Sequence, residues 1–219
     1  MTTTGVDLLE EKSLWDIYKK CVSLLPASKF NWATTSIVVL ILICDSAYFP
    51  MKYALRLENL RSLADLGLGF GSTILGFLIA GFTIFATLSK PELFRRMYDT
   101  THQSSGLSYL KVNFFAFVEV FCVYILFLVL CLAVRLFCGP GGFAASLVDF
   151  SNTNPFLGYS ISKPWIVNFA YTFIAGLSYY SLMALKSFVF NTYHAVMTSV
   201  AWSFIAQDEN VLENEQKLS

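Results

Sequence analysis

The stretch LGLGFGSTILGFLIAGFTIFATLS, Leu66 to Ser89, decides the fold. It runs for 24 residues without a charged side chain. A hydrocarbon core about 30 Å thick is crossed by about 20 apolar residues in a helix, so this stretch predicts a transmembrane helix. The whole chain has the matching composition. Of its 219 residues, 56% are apolar and 14% are charged, whereas soluble domains contain about 45–50% apolar and about 25% charged residues.

Three further apolar stretches predict helices of similar length. The first runs from Ala33 to Phe49, the third from about Asn113 to Leu136, and the fourth from about Trp165 to Leu185. Each is long enough to cross a bilayer with some tilt. We therefore expect an all-α fold, an integral membrane four-helix bundle that occupies residues 33–206.

The segments on either side of this bundle predict helices outside the hydrocarbon core. Residues 6–25 carry apolar side chains at helical spacing along one stripe, so we expect residues 1–32 to contain a cytoplasmic amphipathic N-terminal helix. Residues 187–206 lack charges but carry two polar stripes, which favours a cytoplasmic extension of the last helix over a fifth span. Residues 207–219 predict a disordered acidic tail.

The distribution of charge predicts how the bundle is oriented. With the N-terminus inside, ten Lys and Arg residues fall in inner segments and five in outer segments, which favours cytoplasmic N- and C-termini. Over the whole chain, 15 Lys and Arg balance 15 Asp and Glu. This balance leaves no basic excess that would point to direct binding of nucleic acid.

One face of the second span consists of small and hydroxyl residues. They recur at spacings of three and four: Gly69, Ser72, Gly76, Ala80, Thr83 and Thr87. Small residues let helices approach closely in a membrane, where van der Waals contact holds them together. The pattern leaves three interpretations open, namely packing within the chain, contact between the subunits of a homo-oligomer, and the lining of a narrow pore.

Four charged residues are expected inside the spans or at their ends: Asp45, Glu119, Arg135 and Lys186. An unpaired charge that faces lipid costs about 2.5–3.5 kcal/mol on insertion scales. We therefore expect Asp45 to pair with Arg135 near the outer end, and Glu119 with Lys186 near the inner end. Structural ion pairing or snorkelling is one interpretation, and a gating or proton-coupled site at Glu119 is the other.

No motif in the sequence indicates catalysis. The two histidines, His102 and His194, lack metal-ligand spacing, and there is neither a GxSxG elbow nor a GKS/T motif after the glycines of residues 67–71. We expect a protein that is not an enzyme and has no cofactor or metal site. The five cysteines form no CxxC pair, which leaves a Cys44–Cys138 disulfide as a possible pairing.

The layout of the middle of the chain resembles a known family. GFLIAGFTIF (Gly76–Phe85) is joined closely to SKPELF (Ser89–Phe94), and GLSYLK (Gly106–Lys111) leads into the third span. In this it resembles membrane subunits of the bacterial two-component Kiwa anti-phage defence system. The resemblance implies a homo-oligomer in the inner membrane, with a tetramer as the first expectation. Such a subunit would sense phage at the envelope and hold a cytoplasmic effector that binds DNA. It implies no catalytic residues.

The segments expected to face the cytoplasm fit a partner of this kind. The connection after the second span carries Lys90, Arg95 and Arg96, and His194 lies on the protruding part of the last helix. We expect these residues to contribute to a surface that docks the effector. The alternative is a pore-forming ion channel or a membrane-depolarising effector, with the small-residue face as its lining.

Overall fold

The computed structural model describes residues 13, 16–20, 27–49, 52–88, 91–102, 105–139, 142–143 and 163–218. Its named helices are α1 (Ala27–Tyr48), α2 (Tyr53–Leu88), α3 (Pro91–Asp99), α4 (Tyr109–Phe137) and α5 (Lys163–Leu218). Within the described ranges there is no strand, only an isolated β-bridge between Thr101 and Ser108. The predicted all-α fold is confirmed.

Four of these helices are long and apolar enough to cross a membrane. Their apolar segments are Lys29–Tyr48, Ala54–Thr87, Tyr109–Phe137 and Pro164–Thr198. In the most apolar window of α2 only 11% of the residues are buried within the structure. An apolar surface of this extent is favourable in lipid and unfavourable in water, which indicates a membrane protein. The prediction of four helices that can form a membrane bundle is confirmed.

Two helices are longer than the predicted spans. Helix α2 begins at Tyr53 rather than near Leu66, so the expected outer loop shrinks to residues 49–52. Helix α5 is continuous for 56 residues, so the fourth helix continues through residues 187–206, as predicted. The expectation of a disordered tail was wrong, because the helix runs on to Leu218. Its last turns contain Glu, Gln, Lys and Leu, which all favour helix.

The predicted N-terminal helix is described only in part. Residues 16–20 are helical, and Ser13 caps them: its Oγ accepts a hydrogen bond from the Asp16 N–H at 3.1 Å. The rest of residues 1–26 lies outside the described residues.

The contacts within the chain divide it into two compact units. The four-helix unit comprises residues 26–78 and 121–184. The aromatic unit comprises residues 1–25, 79–120 and 185–219. The predicted bundle of residues 33–206 is therefore divided between two units, and α2, α4 and α5 contribute residues to both.

The core of the four-helix unit joins α2, α4 and α5. Its buried members are Leu60, Ala64, Phe127, Cys131, Val167 and Ile174. Glycine makes the closest approaches possible: a Cβ on Gly67 would lie 2.7 Å from Phe127 Cζ and 2.8 Å from Cys131 Sγ. A Cβ on Gly176 would lie 2.7 Å from Val39 Cγ2, which shows how closely α5 approaches α1.

The core of the aromatic unit is built mainly from phenylalanine rings. Its ring contacts join Phe82, Phe85, Phe94, Phe114, Phe117 and Phe188 at centroid distances between 4.9 and 6.4 Å. Helix α3 joins this core through the Phe94 ring, and its Met97 is buried at 1% exposed. A tight loop then leads into α4. In it Gly106 has a φ of +70°, and the His102 N–H donates to the Leu107 carbonyl at 2.7 Å.

We expect Gly67→Ala to lower the free energy of unfolding by about 1–3 kcal/mol, because its Cβ would overlap two buried side chains. The matched control is Gly81→Ala in the same helix, where a Cβ meets no atom within 4 Å. That change should leave stability unchanged or raise it by up to about 1 kcal/mol. Thermal unfolding in detergent micelles measures both. Equal melting temperatures for the two variants would contradict the packing of α2 against α4.

Candidate functional site

No described part of the chain covers the small-residue face of α2. All six of its predicted members are exposed: Gly69, Ser72, Gly76, Ala80, Thr83 and Thr87. A Cβ on Gly69 or Gly76 would meet no atom within 4 Å, whereas Gly67 and Gly71 are buried against α4. The interpretation that this face packs within the chain was therefore wrong. Contact between subunits and the lining of a pore remain as interpretations of this face.

The hydroxyl groups on this face donate their hydrogen bonds within the helix. Ser72 Oγ donates to the Gly69 carbonyl at 3.1 Å, and Thr83 Oγ1 donates to the Ile79 carbonyl at 2.8 Å. Thr87 Oγ1 donates to the Thr83 carbonyl, also at 2.8 Å. Because these donors are already used, the hydroxyls need no hydrogen-bond acceptor outside the helix, and the face can make close van der Waals contact with another helix.

An ion pair with a buried cation ties α1 to α2. Asp45 Oδ2 lies 3.4 Å from Arg56 Nη2, and Arg56 is 4% exposed. The Arg56 guanidinium also lies over the Tyr171 ring of α5, 5.1 Å from the ring centroid. One cation therefore connects three helices of the four-helix unit. The prediction that Asp45 pairs with Arg135 was wrong, because α2 begins early enough to place Arg56 beside Asp45.

Arg135 has a different partner from the one expected. Its Nε lies 3.2 Å from Asp65 Oδ1, and the two side chains are 55% and 49% exposed. Asp65 and Arg56 both precede the predicted second span, so neither is among the predicted site residues. A periodic signal was present, because Arg56, Leu60, Ala64 and Gly67 recur at spacings of four, four and three and are all buried.

The second predicted pair does not form. Glu119 is half-buried on α4 and Lys186 is exposed on α5, and the described part of the chain contains no ion pair between them. Glu119 belongs to a strongly apolar helix segment. Its carboxylate is therefore the charged group of α4 with the least compensation by an opposite charge.

The docking residues that the structure describes are exposed and belong to the aromatic unit. Arg95 and Arg96 lie on α3, which is fixed by the burial of Met97. His194 lies on α5, with its ring 4.4 Å from the Phe190 ring by centroid distance. Lys90 lies outside the described residues.

The expected absence of a metal site and of catalysis stays a prediction. Among the residues described, no three His, Cys, Asp or Glu side chains are placed to hold a metal ion. His102 Nδ1 lies 3.0 Å from Ser105 Oγ within the loop before α4. Cys44 and Cys138 are free thiols, so the disulfide left open by the sequence does not form. Burial raises the pKa of the Cys138 thiol, and the nearby Arg61 guanidinium opposes that rise.

Comparison of the chain with protein-family models, with curated proteins and with solved structures finds no match.

We expect Asp45→Asn to lower the free energy of unfolding by about 1–3 kcal/mol, because it leaves the Arg56 charge buried without a carboxylate. Asp45→Asn combined with Arg56→Met should recover most of that loss, since the double change removes both charges. Unfolding of the two variants in detergent, compared with the exposed control Glu58→Gln, measures the coupling. If the double variant is less stable than Asp45→Asn alone, the loss of the ion pair is not the cause of the lower stability of Asp45→Asn.

Proposed function

We propose that the protein is a membrane-embedded sensor and anchor subunit of an anti-phage defence complex, which forms a homo-oligomer and docks a cytoplasmic effector. The observation that carries the proposal is the length of α5. Its 56 residues extend over about 84 Å, whereas crossing a bilayer requires about 20 residues. Much of this helix is therefore available outside the hydrocarbon core to a partner.

Assembly of several copies is supported by the uncovered face of α2. Gly69 and Gly76 have open space beside them, and the neighbouring hydroxyl donors are used within the helix. A face of this composition gains little from contact with flexible lipid chains and gains close van der Waals contact from a second helix. A homo-oligomer would provide that second helix, and a tetramer is the first expectation.

Docking of an effector is supported by the exposed cations of α3. Arg95 and Arg96 lie on a helix that directly follows the apolar segment of α2 in sequence. The distribution of Lys and Arg favours an orientation with this helix and both termini in the cytoplasm, and the proposed membrane is the cell inner membrane. Its partner would present acidic side chains, and sensing of phage at the envelope completes the proposed role.

We expect affinity purification from native membranes in mild detergent to yield an oligomer with a stoichiometric soluble protein. Arg95→Glu together with Arg96→Glu should reduce the bound partner about tenfold or more, because reversed charges repel an acidic surface. The matched control is Lys52→Glu, an exposed cation in the connection between α1 and α2. Native mass spectrometry measures both. Recovery of the oligomer without any soluble protein would contradict the anchor.

A pore-forming channel is the second candidate, and the observation in its favour is Glu119. A carboxylate without an ion-pair partner among the described residues, on a helix this apolar, is the kind of group that gates a pore or accepts a proton. An anchor subunit, in contrast, does not have to conduct ions.

We therefore expect liposomes that contain the purified protein to show no ion flux above protein-free liposomes, and Glu119→Gln to change nothing in that assay. A fluorescent ion indicator inside the liposomes provides the measurement, and a known ionophore controls for its sensitivity. Flux through the wild-type protein that Glu119→Gln abolishes would favour the pore over the anchor.

A further inference from the structure

The part of α5 that follows the aromatic core carries a stripe of large apolar side chains. They alternate at spacings of three and four residues: Phe190, Tyr193, Met197, Val200 and Phe204. All five are exposed, by fractions between 43% and 63%. The mean spacing is 3.5 residues, which is the spacing of the a and d positions of a coiled coil. The pattern therefore predicts contact with another helix along this stripe.

The same spacing continues to the end of α5. Helix α5 is continuous to Leu218, so the a and d positions extend through its last turns. The next four of these positions are uncharged: Gln207, Val211, Asn214 and Leu218. The five charged residues of the same segment all lie at other positions: Asp208, Glu209, Glu213, Glu215 and Lys217. Exclusion of charge from the a and d positions over four heptads is typical of a coiled coil, and a helix surrounded by water does not require it.

Helix α5 carries this stripe beyond the end of α2. The Phe188 ring contacts Phe117 of α4 at a centroid distance of 4.9 Å, and Phe117 stacks on Phe85 of α2 at 5.6 Å. Helix α2 ends three residues after Phe85, whereas α5 continues for 30 residues after Phe188. Counted from Pro164, α5 has also extended about 39 Å by Phe190, and a hydrocarbon core is about 30 Å thick. The stripe therefore lies largely outside that core, where exposed apolar surface is unfavourable.

We propose that a second copy of this chain packs against the α5 seam, defined by the a and d positions from Phe190 to Leu218, in a parallel coiled coil. The inference rests on the proposed homo-oligomer and identifies the surface that holds it together. Copies anchored in one membrane present this seam in the same direction and at the same height. Each a or d residue then meets the same residue of the other copy, which is the arrangement that a parallel coiled coil requires.

The charges along α5 are compatible with contact between identical copies. No a or d position of the seam is charged, so no layer brings like charges together. Lys186 occupies the d position before Phe190, where copies would repel each other, so the seam begins after it. In a parallel pair, a g position lies beside the e position of the next heptad in the other copy. Here Ser203 lies beside Asp208 and Asn210 beside Glu215, so each carboxylate has a neutral polar neighbour.

The seam is tested first with carboxylates in the full-length protein. Met197→Glu places one carboxylate of every copy in the same layer, so it should reduce the oligomer about tenfold or more. Gln207→Glu, at a d position, should also reduce it. The matched control is Gln216→Glu, the same change at an f position outside the seam, which should leave the oligomer unchanged. Native mass spectrometry in mild detergent provides the mass of every species.

A cysteine variant keeps the test valid if the carboxylate variants fail to fold. Met197→Cys places the thiols of two copies side by side, so oxidation in native membranes should link the copies as a covalent dimer. The matched control, Asn191→Cys, lies about 120° away around the helix and should give no more dimer than the wild-type protein. Gel electrophoresis without reducing agent measures the dimer.

The outcomes separate this inference from the proposed function. If the wild-type protein is monomeric, the proposed homo-oligomer fails and the seam fails with it. If the wild type is oligomeric but the seam variants retain its mass and Met197→Cys does not cross-link, the seam is wrong and the oligomer stands. Variants that retain the oligomer but lose a bound soluble protein would assign the seam to that protein and overturn the inference. Loss of the oligomer in the seam variants, when the wild-type oligomer carries no soluble protein, would support the seam and contradict the anchor.

Discussion

The close approach of α2 to α4 is the contact on which the four-helix unit depends. Gly67 and Gly71 have no side chain, so Phe127, Leu128 and Cys131 lie directly against the backbone of α2. This contact fixes the rotation of α2 about its own axis. With the Gly67 side directed inward, the helix period directs Gly69, Ser72 and Gly76 outward. The inner packing of α2 therefore determines which of its residues are available to another molecule.

The presence of the long helices was predictable because one strong constraint produces them. A bilayer leaves no water to satisfy backbone groups, so a long apolar run must be helical. The start of α2 was missed because Arg56, Arg61 and Asp65 have the charge density of a loop. Arg56 is nevertheless buried, and Arg61 Nε donates to the Cys138 carbonyl at 2.7 Å. The sequence alone does not indicate which oppositely charged or polar group of a neighbouring helix lies at the same level along the helix axis as each of these side chains.

The composition of the small-residue face was predictable, but its partner was not. Helical spacing places Gly69, Ser72 and Gly76 on one face whether that face is covered by the same chain or by another. Only the position of the neighbouring helices decides between these cases. In the structure α4 covers the Gly67 side, and among the described residues none covers the side of Gly69 and Gly76. The partner of Arg135 could not be predicted for a similar reason. It depends on where α2 begins, which decides whether Asp65 belongs to that helix.

The two ion pairs of the four-helix unit differ in the burial of their cations, because the Arg56 side chain is 5% exposed and the Arg135 side chain is 55% exposed, whereas their carboxylate partners are similarly exposed. Arg56 contacts Asp45 and the Tyr171 ring, so it holds three helices together, and its Nε is buried without a hydrogen-bond partner among the described residues. Arg135 and Asp65 are half exposed, so the same chemistry is only partly compensated there. In a soluble protein, water would complete the second pair. Lipid offers no such option at the middle of a span, but Arg135 lies two residues before the end of α4, so its side chain can extend to the membrane–water interface and be hydrated there.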